Sequence, residues 1–257
     1  MTGQVAAITG GRGAIGSALD RRLTADGWTV VALDLPGTEL GGDGERSRWV
    51  ALDTTDEASV AAAFDEVATR YGRLDLLIVA AGVTALGTFD ETPAATFRRL
   101  MDINFHGAVA CLRAALPALR ASRGHVVVLS SVAGFAPVLG RPAYVASKHA
   151  LTGTFNALRP ELAKDGIGVT LVHPTFVGHE LADANADANA DSEGRTTTTS
   201  RTTTGALVTP EDVAEDIVAA VAAGRDRIMP GRTARLAYHA HRLAPRLYER
   251  LMTRRLR

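Results

Sequence analysis

Short apolar runs with no polar alternation recur along this chain, each followed by a turn and then by a segment of helical period. Val5–Thr9 is the first such run. Apolar residues at successive positions are what a strand buried on both faces requires. Similar runs occupy residues 28–33, 49–52, 74–80, His125–Leu129 and Gly168–Val172, with a short last one at 227–229. Between them the apolar spacing predicts helices. One follows Gly16, with Leu19, Leu23 and Trp28 closing it off. A second covers Glu57–Tyr71, capped by Asp56, and a third runs from Asp90 or Thr92 to about Ser122. A fourth covers Pro142–Ala163, kinked or ended near Pro160, and a fifth runs from the Thr209 cap to Ala223. Strands alternating with helices predict an α/β chain: a doubly wound parallel-sheet Rossmann fold, three-layer α/β/α, in a single domain over residues 1–231.

Polar chemistry collects where the runs end, which is the strand C-terminal edge of such a sheet. The first run enters Gly10-Gly11-Arg12-Gly13-Ala14-Ile15-Gly16 and then a helix. Glycines let backbone approach a pyrophosphate, and the helix N-terminus offers free N–H groups and a positive dipole. Asp34 ends the second run. It either starts the turn before Pro36-Gly37 or accepts hydrogen bonds from an adenosine ribose, and the glycine loop ahead of it favours the ribose. Asp53-Thr54 ends the third run, Ala81-Gly82 follows the fourth, and Ser130-Ser131 ends the fifth. Tyr144 and Lys148 stand one helical turn apart. An ammonium beside a phenol favours the phenolate and lowers the tyrosine pKa from about 10, so Tyr144 can exchange a proton near neutral pH.

Composition narrows the class. The 257 residues are 46% hydrophobic with a mean hydropathy of +0.06, which suits a globular body, and no apolar run is long enough to span a bilayer. No secretory signal is legible at the start, and the one cysteine, Cys111, cannot form an internal disulfide. A reducing, cytoplasmic setting is therefore expected. Net charge is zero, with nothing to suggest a nucleic-acid partner, but the charge is uneven. From Arg232 onward there are eight arginines and one acid, Glu249, which leaves 20 basic against 27 acidic residues before it.

Taken together, these motifs resemble the short-chain dehydrogenase/reductase family in its single-domain form, over roughly residues 5–229. The matching features are Thr9-Gly10-x-x-x-Ala14-Ile15-Gly16, Asn104 in the third helix, Ser131 thirteen residues before Tyr144, and Tyr144-x-x-x-Lys148. The resemblance implies an NAD(P)-dependent oxidoreductase that interconverts a secondary alcohol and a ketone. Tyr144 would be the acid/base, Lys148 would tune it and hold the nicotinamide ribose, Ser131 would bind the substrate oxygen, and Asn104 would anchor a relay water. The cofactor positions it implies are Gly10, Arg12, Gly13, Ala14, Ile15, Gly16, Asp34, Asp53, Thr54, Ala81, Gly82, Tyr144, Lys148, Pro174 and Val177. Asp34 points to NAD, with NADP the lesser expectation; no metal is implied. The substrate would be a small, apolar alcohol or ketone, and the assembly a homodimer or homotetramer. A catalytically silent nucleotide-binding protein on the same fold is the rival reading, and the intact set Asn104, Ser131, Tyr144 and Lys148 argues against it.

Five features depart from the family pattern or vary within it. The loop also reads as G-x-G-x-x-G, the form of a longer branch with a larger C-terminal substrate domain, for which little chain follows Lys148. The family's Asn-Asn-Ala-Gly is Val79-Ala80-Ala81-Gly82 here, and His179 replaces a threonine. Residues 179–208 include an Ala-Asp-Ala-Asn repeat and a threonine-rich run, where the family has a substrate lid. The tail, 232–257, places Leu236, Ala240, Leu243, Leu247 and Leu251 at helical spacing among arginines, divided by Pro245. It carries no matched catalytic residue, so it is expected to serve assembly or surface binding and not hydride chemistry. Docking on its own body or on a sister subunit ranks above an anionic membrane surface, because leucine stripes usually mark a core.

Overall fold

The strands are built from residues whose two faces are both apolar, and each face finds its own layer of helices. In the computed structural model, which describes residues 3–38, 46–178, 189–190 and 208–253, seven strands form one parallel sheet. They are β1 (Val5–Thr9), β2 (Thr29–Asp34), β3 (Ser47–Ala51), β4 (Leu76–Val79), β6 (His125–Leu129), β7 (Gly168–Val172) and β9 (Arg227–Ile228), in the spatial order β3-β2-β1-β4-β6-β7-β9. A two-residue pair, β5 (Thr84–Ala85) with β8 (Asn189–Ala190), lies apart from it.

Ala7, Val31, Leu77, Val126 and Val128 face one helical layer: α2 (Glu57–Tyr71), α4 (Gly107–Ser122) and α5 (Pro142–Ala163). Their neighbours Ala6, Ile8, Val30, Leu76, Ile78 and Val127 face α1 (Ala14–Ala25) and α6 (Pro210–Ala222). Period-2 alternation thus delivers apolar groups to both sides, and all five β1 residues are buried. The chain goes from β1 outward to β3 on one side, then crosses to β4 on the other. The strand order therefore reverses between β1 and β4, and the crevice of such a sheet lies outside the strand C-termini at that point.

The helix expected from about 90 to 122 is three pieces. α3 (Ala94–Met101) passes through a π turn, Asp102–His106, into α4. Asn104, in that turn, is 1% exposed and hydrogen-bonded on both sides of its amide. One extra residue per turn is invisible to a periodicity argument, because it shifts the register without breaking the helix. α5 runs through Pro160 to Ala163, the full span expected for it. Proline removes one backbone donor, and only three residues of helix remain beyond it.

The tail forms α7 (Arg232–Leu243) and α8 (Pro245–Thr253), split at Pro245. Ala234 of α7 is fully buried against Val132 and Ala136. The first helix of the tail therefore packs on the segment that follows Ser131. The expected lid, 179–208, and His179 fall outside the described residues, except for 189–190 and Val208.

Candidate active site

The glycine loop is shaped by close contacts. Gly10 has φ +66°, and a Cβ there would come within 2.8 Å of the Ala81 backbone. Gly16 is buried against Gly10 and Gly11. These approaches hold the loop after β1 against the loop after β4. Thr9 completes the join: its hydroxyl, fully buried, accepts from the N–H groups of Ala80 (3.1 Å) and Ala81 (3.2 Å). That is a brace for the sheet edge in a chain whose family asparagine is missing. Gly13 caps α1 without a side-chain hydrogen bond, and no acid lies in the first turn. Gly13 and Ala14 are exposed and Ile15 partly so. This helix end therefore faces outward without an acid of its own first turn beside it.

Asp34 closes the other wall. Its carboxylate accepts from the Arg12 N–H and from its neighbour's, Leu35, both at 2.8 Å. Arg12 and Asp34, which pull in opposite directions on an adenosine 2′-phosphate, are therefore adjacent, and Arg12 Nε is buried with no partner among the described residues. Asp53 turns back onto Thr55, whose N–H and hydroxyl hold its carboxyl below the usual range. Thr54 lies against Gly107, where a Cβ would come within 2.8 Å of it.

Lys148 is 5% exposed, and its ammonium donates to Leu129 O at 2.8 Å. Burial pulls its pKa down from 10.5 to about 8. The nitrogen lies 5.8 Å from the centre of the Tyr144 ring. Behind it, Asn104 Oδ1 accepts from Val83 N–H (2.8 Å), and Nδ2 donates to Val83 O (2.9 Å) and Ser147 Oγ (2.9 Å). Both amide hydrogens are thus used in fixing the loop after β4 to α5. Ser147 in turn donates to Tyr144 O at 2.8 Å. A Cβ on Gly82 would meet Asn104 Oδ1 at 3.0 Å and Lys148 Nζ at 3.4 Å, so glycine leaves that corner open.

Ser131 begins a 3-10 turn, Val132–Gly134, with its hydroxyl oxygen accepting from Ala133 N–H at 3.1 Å. Gly134 presses the turn against α5, since any Cβ there would strike Ser130 Oγ, Thr152 Oγ1 and, at 2.9 Å, Lys148 O. His173 holds the turn from the other side, with Nδ1 2.9 Å from Ser131 O. A carbonyl only accepts, so Nδ1 carries the hydrogen. Nε2 is buried without a partner among the described residues, and burial drives the His173 pKa down to about 4. Pro174 O accepts from Val132 N–H at 3.1 Å, while Val177 bridges to Val208.

The family model described as short chain dehydrogenase matches residues 4–190. The chain belongs to the short-chain dehydrogenase/reductase family. It is 37% identical over 208 residues to dehydrogenase/reductase SDR family member 7B of Xenopus laevis, covering 80% of this chain and 63% of that protein. It therefore spans less than two thirds of the length of that relative. It is 31% identical over 188 residues to the 3-alpha-(or 20-beta)-hydroxysteroid dehydrogenase of Mycobacterium tuberculosis, covering 71% of this chain and 72% of that one. A short-chain dehydrogenase structure from Streptomyces avermitilis superposes with a TM-score of 0.82 at 27% identity, covering 96% of this chain and 94% of that one.

This family of oxidoreductases binds NAD(P), and the site fits such a group: an uncapped helix end, a glycine cradle and an acid at the ribose end of the crevice. A concavity of about 700 Å³ also opens at the opposite, N-terminal edge of the sheet, lined by Leu76, Gly124, His125 and Gly168 among others. Its Asp75 is already held by Arg73 and Val5 N–H, and no motif residue reaches it. The motif residues lie at the other edge. Sequence reading missed Ser147 and His173 as parts of the site, and the bracing role of Thr9. Ser147 could have been found as the small polar residue one turn from Tyr144 on the face of Asn104. His173 carried no signal, because its partner is a backbone carbonyl 42 residues away.

Proposed function

We propose that the protein is an NAD-dependent dehydrogenase/ketoreductase of apolar secondary alcohols, with Tyr144 as the acid/base. The observation that carries this reading is the buried ammonium of Lys148 beside the Tyr144 ring, on a helix fixed both to Asn104 and to the Ser131 turn. A bound nicotinamide supplies or accepts the hydride. In the ketone direction Tyr144 Oη gives its proton to the carbonyl oxygen; in the alcohol direction it takes that proton back. Lys148 uses one of its three N–H bonds on Leu129 O, leaving two to favour the phenolate and to hold a ribose hydroxyl. The Ser131 hydroxyl accepts from Ala133 N–H, so its own hydrogen is left to donate to the substrate oxygen as charge develops there. Asn104 and Ser147 act as positioning residues.

An apolar substrate is supported by Phe135, Pro137, Val138 and Leu139 beside the Ser131 turn, and by the hydroxysteroid activity named for the mycobacterial relative. Asp34 supports NAD, because a carboxylate repels a 2′-phosphate placed against it. The test is a panel of secondary alcohols and ketones with each cofactor. Tyr144→Phe should lower turnover on the best substrate by about 10²- to 10⁴-fold while cofactor binding by calorimetry stays near wild type. Retained turnover would sink the catalytic assignment. In the same panel kcat/KM should favour NAD, and a preference for NADP would hand the decision to Arg12.

A further inference from the structure

α7 is amphipathic in the unexpected sense. Its buried side is made of small or amphipathic residues: Ala234 is fully buried, and Ala237 and Tyr238 join it against Val132, Ala136 and Phe135. At about 3.6 residues per turn, Leu236 and Leu243 fall on the opposite side of the helix. They are 71% and 81% exposed. α8 packs back on α7 through Tyr248, whose ring meets His241 at 5.5 Å, and it too leaves its leucines out. Leu247 is 56% exposed and Leu251 51%. α7 thus docks on the body through Ala234, as expected of the tail, but among the described residues nothing covers the leucine stripe.

The surroundings of these leucines say what does. Arg232, Arg235, Arg242, Arg246 and Arg250 are interleaved with them, against one acid, Glu249. Arg235 donates to Met229 O and Arg242 to the Tyr238 hydroxyl. None of the five forms an ion pair among the described residues, although the rest of the chain is net acidic. Three further arginines follow in the sequence. A second copy meeting this face about a two-fold axis would set arginine against arginine. A head-to-tail contact would need an apolar patch elsewhere. The other exposed large apolar side chains among the described residues, Leu35, Phe89 and Leu139, lie apart in sequence, in the segments that follow β2, β5 and β6.

We propose that the α7–α8 pair seats the protein on an anionic lipid surface. The leucines enter the interface, and the arginines lie along it with their guanidinium groups at the phosphates. The attachment is peripheral, since no described helix is long and apolar enough to cross a membrane. It is independent of the catalytic reading.

The test is flotation of the full-length protein with vesicles of phosphatidylcholine alone and of phosphatidylcholine mixed with phosphatidylglycerol. Binding should be at least about tenfold stronger to the anionic vesicles at low salt and should fall steeply as salt is raised. The double variant Leu243→Ser/Leu247→Ser should lose about tenfold in binding, with its circular dichroism and Tm unchanged because both side chains are already exposed. Arg246→Gln/Arg250→Gln should weaken binding without changing the fold. Equal binding to both vesicle types, or none, would overturn the proposal. So would a concentration-dependent dimer in sedimentation that the leucine variant dissolves, which would make the face an interface between copies of this chain.

Discussion

At the scale of single residues, Lys148 sets function against stability. The unfolded chain keeps the lysine proton up to about 10.5, the folded chain only to about 8. Between those values the unfolded state binds more protons, so stability rises with pH there, and below 8 the whole penalty for burying the charge is present. Lys148→Met should therefore be inactive and yet more stable at pH 7. The gain should be about 2 kcal/mol, after the lost hydrogen bond to Leu129 O is set against the relieved burial. Urea unfolding at pH 7, 8, 9 and 10 checks it. The gap between the variant and wild type should be largest at pH 7 and shrink above pH 8. A gap that stays constant with pH would mean that the lysine is not buried as a cation. His173 obeys the same physics: burial keeps it neutral down to about pH 4, even though its hydrogen bond to Ser131 O favours the charged form.

At the scale of elements, the site depends on how closely one turn approaches one helix. Gly134 is the point of contact between the Ser131 turn and α5, and its missing Cβ is what lets Ser130 Oγ reach Thr152 Oγ1 at 2.7 Å. Gly134→Ala should push the turn off the helix and so move Ser131 relative to Tyr144. We expect a loss of about 1–3 kcal/mol in stability together with a fall in kcat larger than the change in cofactor affinity, measured by steady-state kinetics and calorimetry. An unchanged kcat would show that the turn can shift without disturbing the reacting groups. The π turn works in the same register. It rotates Asn104 inward, where the amide can hold Val83 by both backbone groups and Ser147 by its hydroxyl.

At the scale of the whole molecule, the two helices of the tail separate in role. α7 covers Val132 and Ala136, and through Tyr238 it packs on Phe135, which itself packs on His173. A chain truncated after Gly231 would expose that apolar surface directly beside the Ser131 turn. Its Tm should drop by several degrees, on the order of a few kcal/mol of lost burial, and its turnover should fall with it. A chain truncated after Ala244 keeps α7 and should retain turnover. Thermal melts and kcat on the two truncations decide the point. Full activity in the shorter chain would restore the view that nothing in the tail bears on the chemistry.

Much of this molecule was already legible along the chain. The parallel sheet follows from apolar runs with no alternation, because a strand covered on both sides has no polar face to show. The glycine loop after β1 follows from glycines between a strand and a helix, and the pairing of Tyr144 with Lys148 from one turn of helix. All of these are local, and local spacing is what a sequence displays. Only the tertiary structure decided the rest. Thr9 replaces a missing asparagine as the brace of Ala80 and Ala81, across more than 70 residues. The lysine proton is loosened by burial, a property of everything packed around Lys148. A leucine stripe with the spacing of a core lies on the outside, because Ala234, and not the leucines, fills the space left beside Val132 and Ala136. Periodicity tells which residues share a face of a helix; which face turns inward is decided by the shape of the surface that receives it.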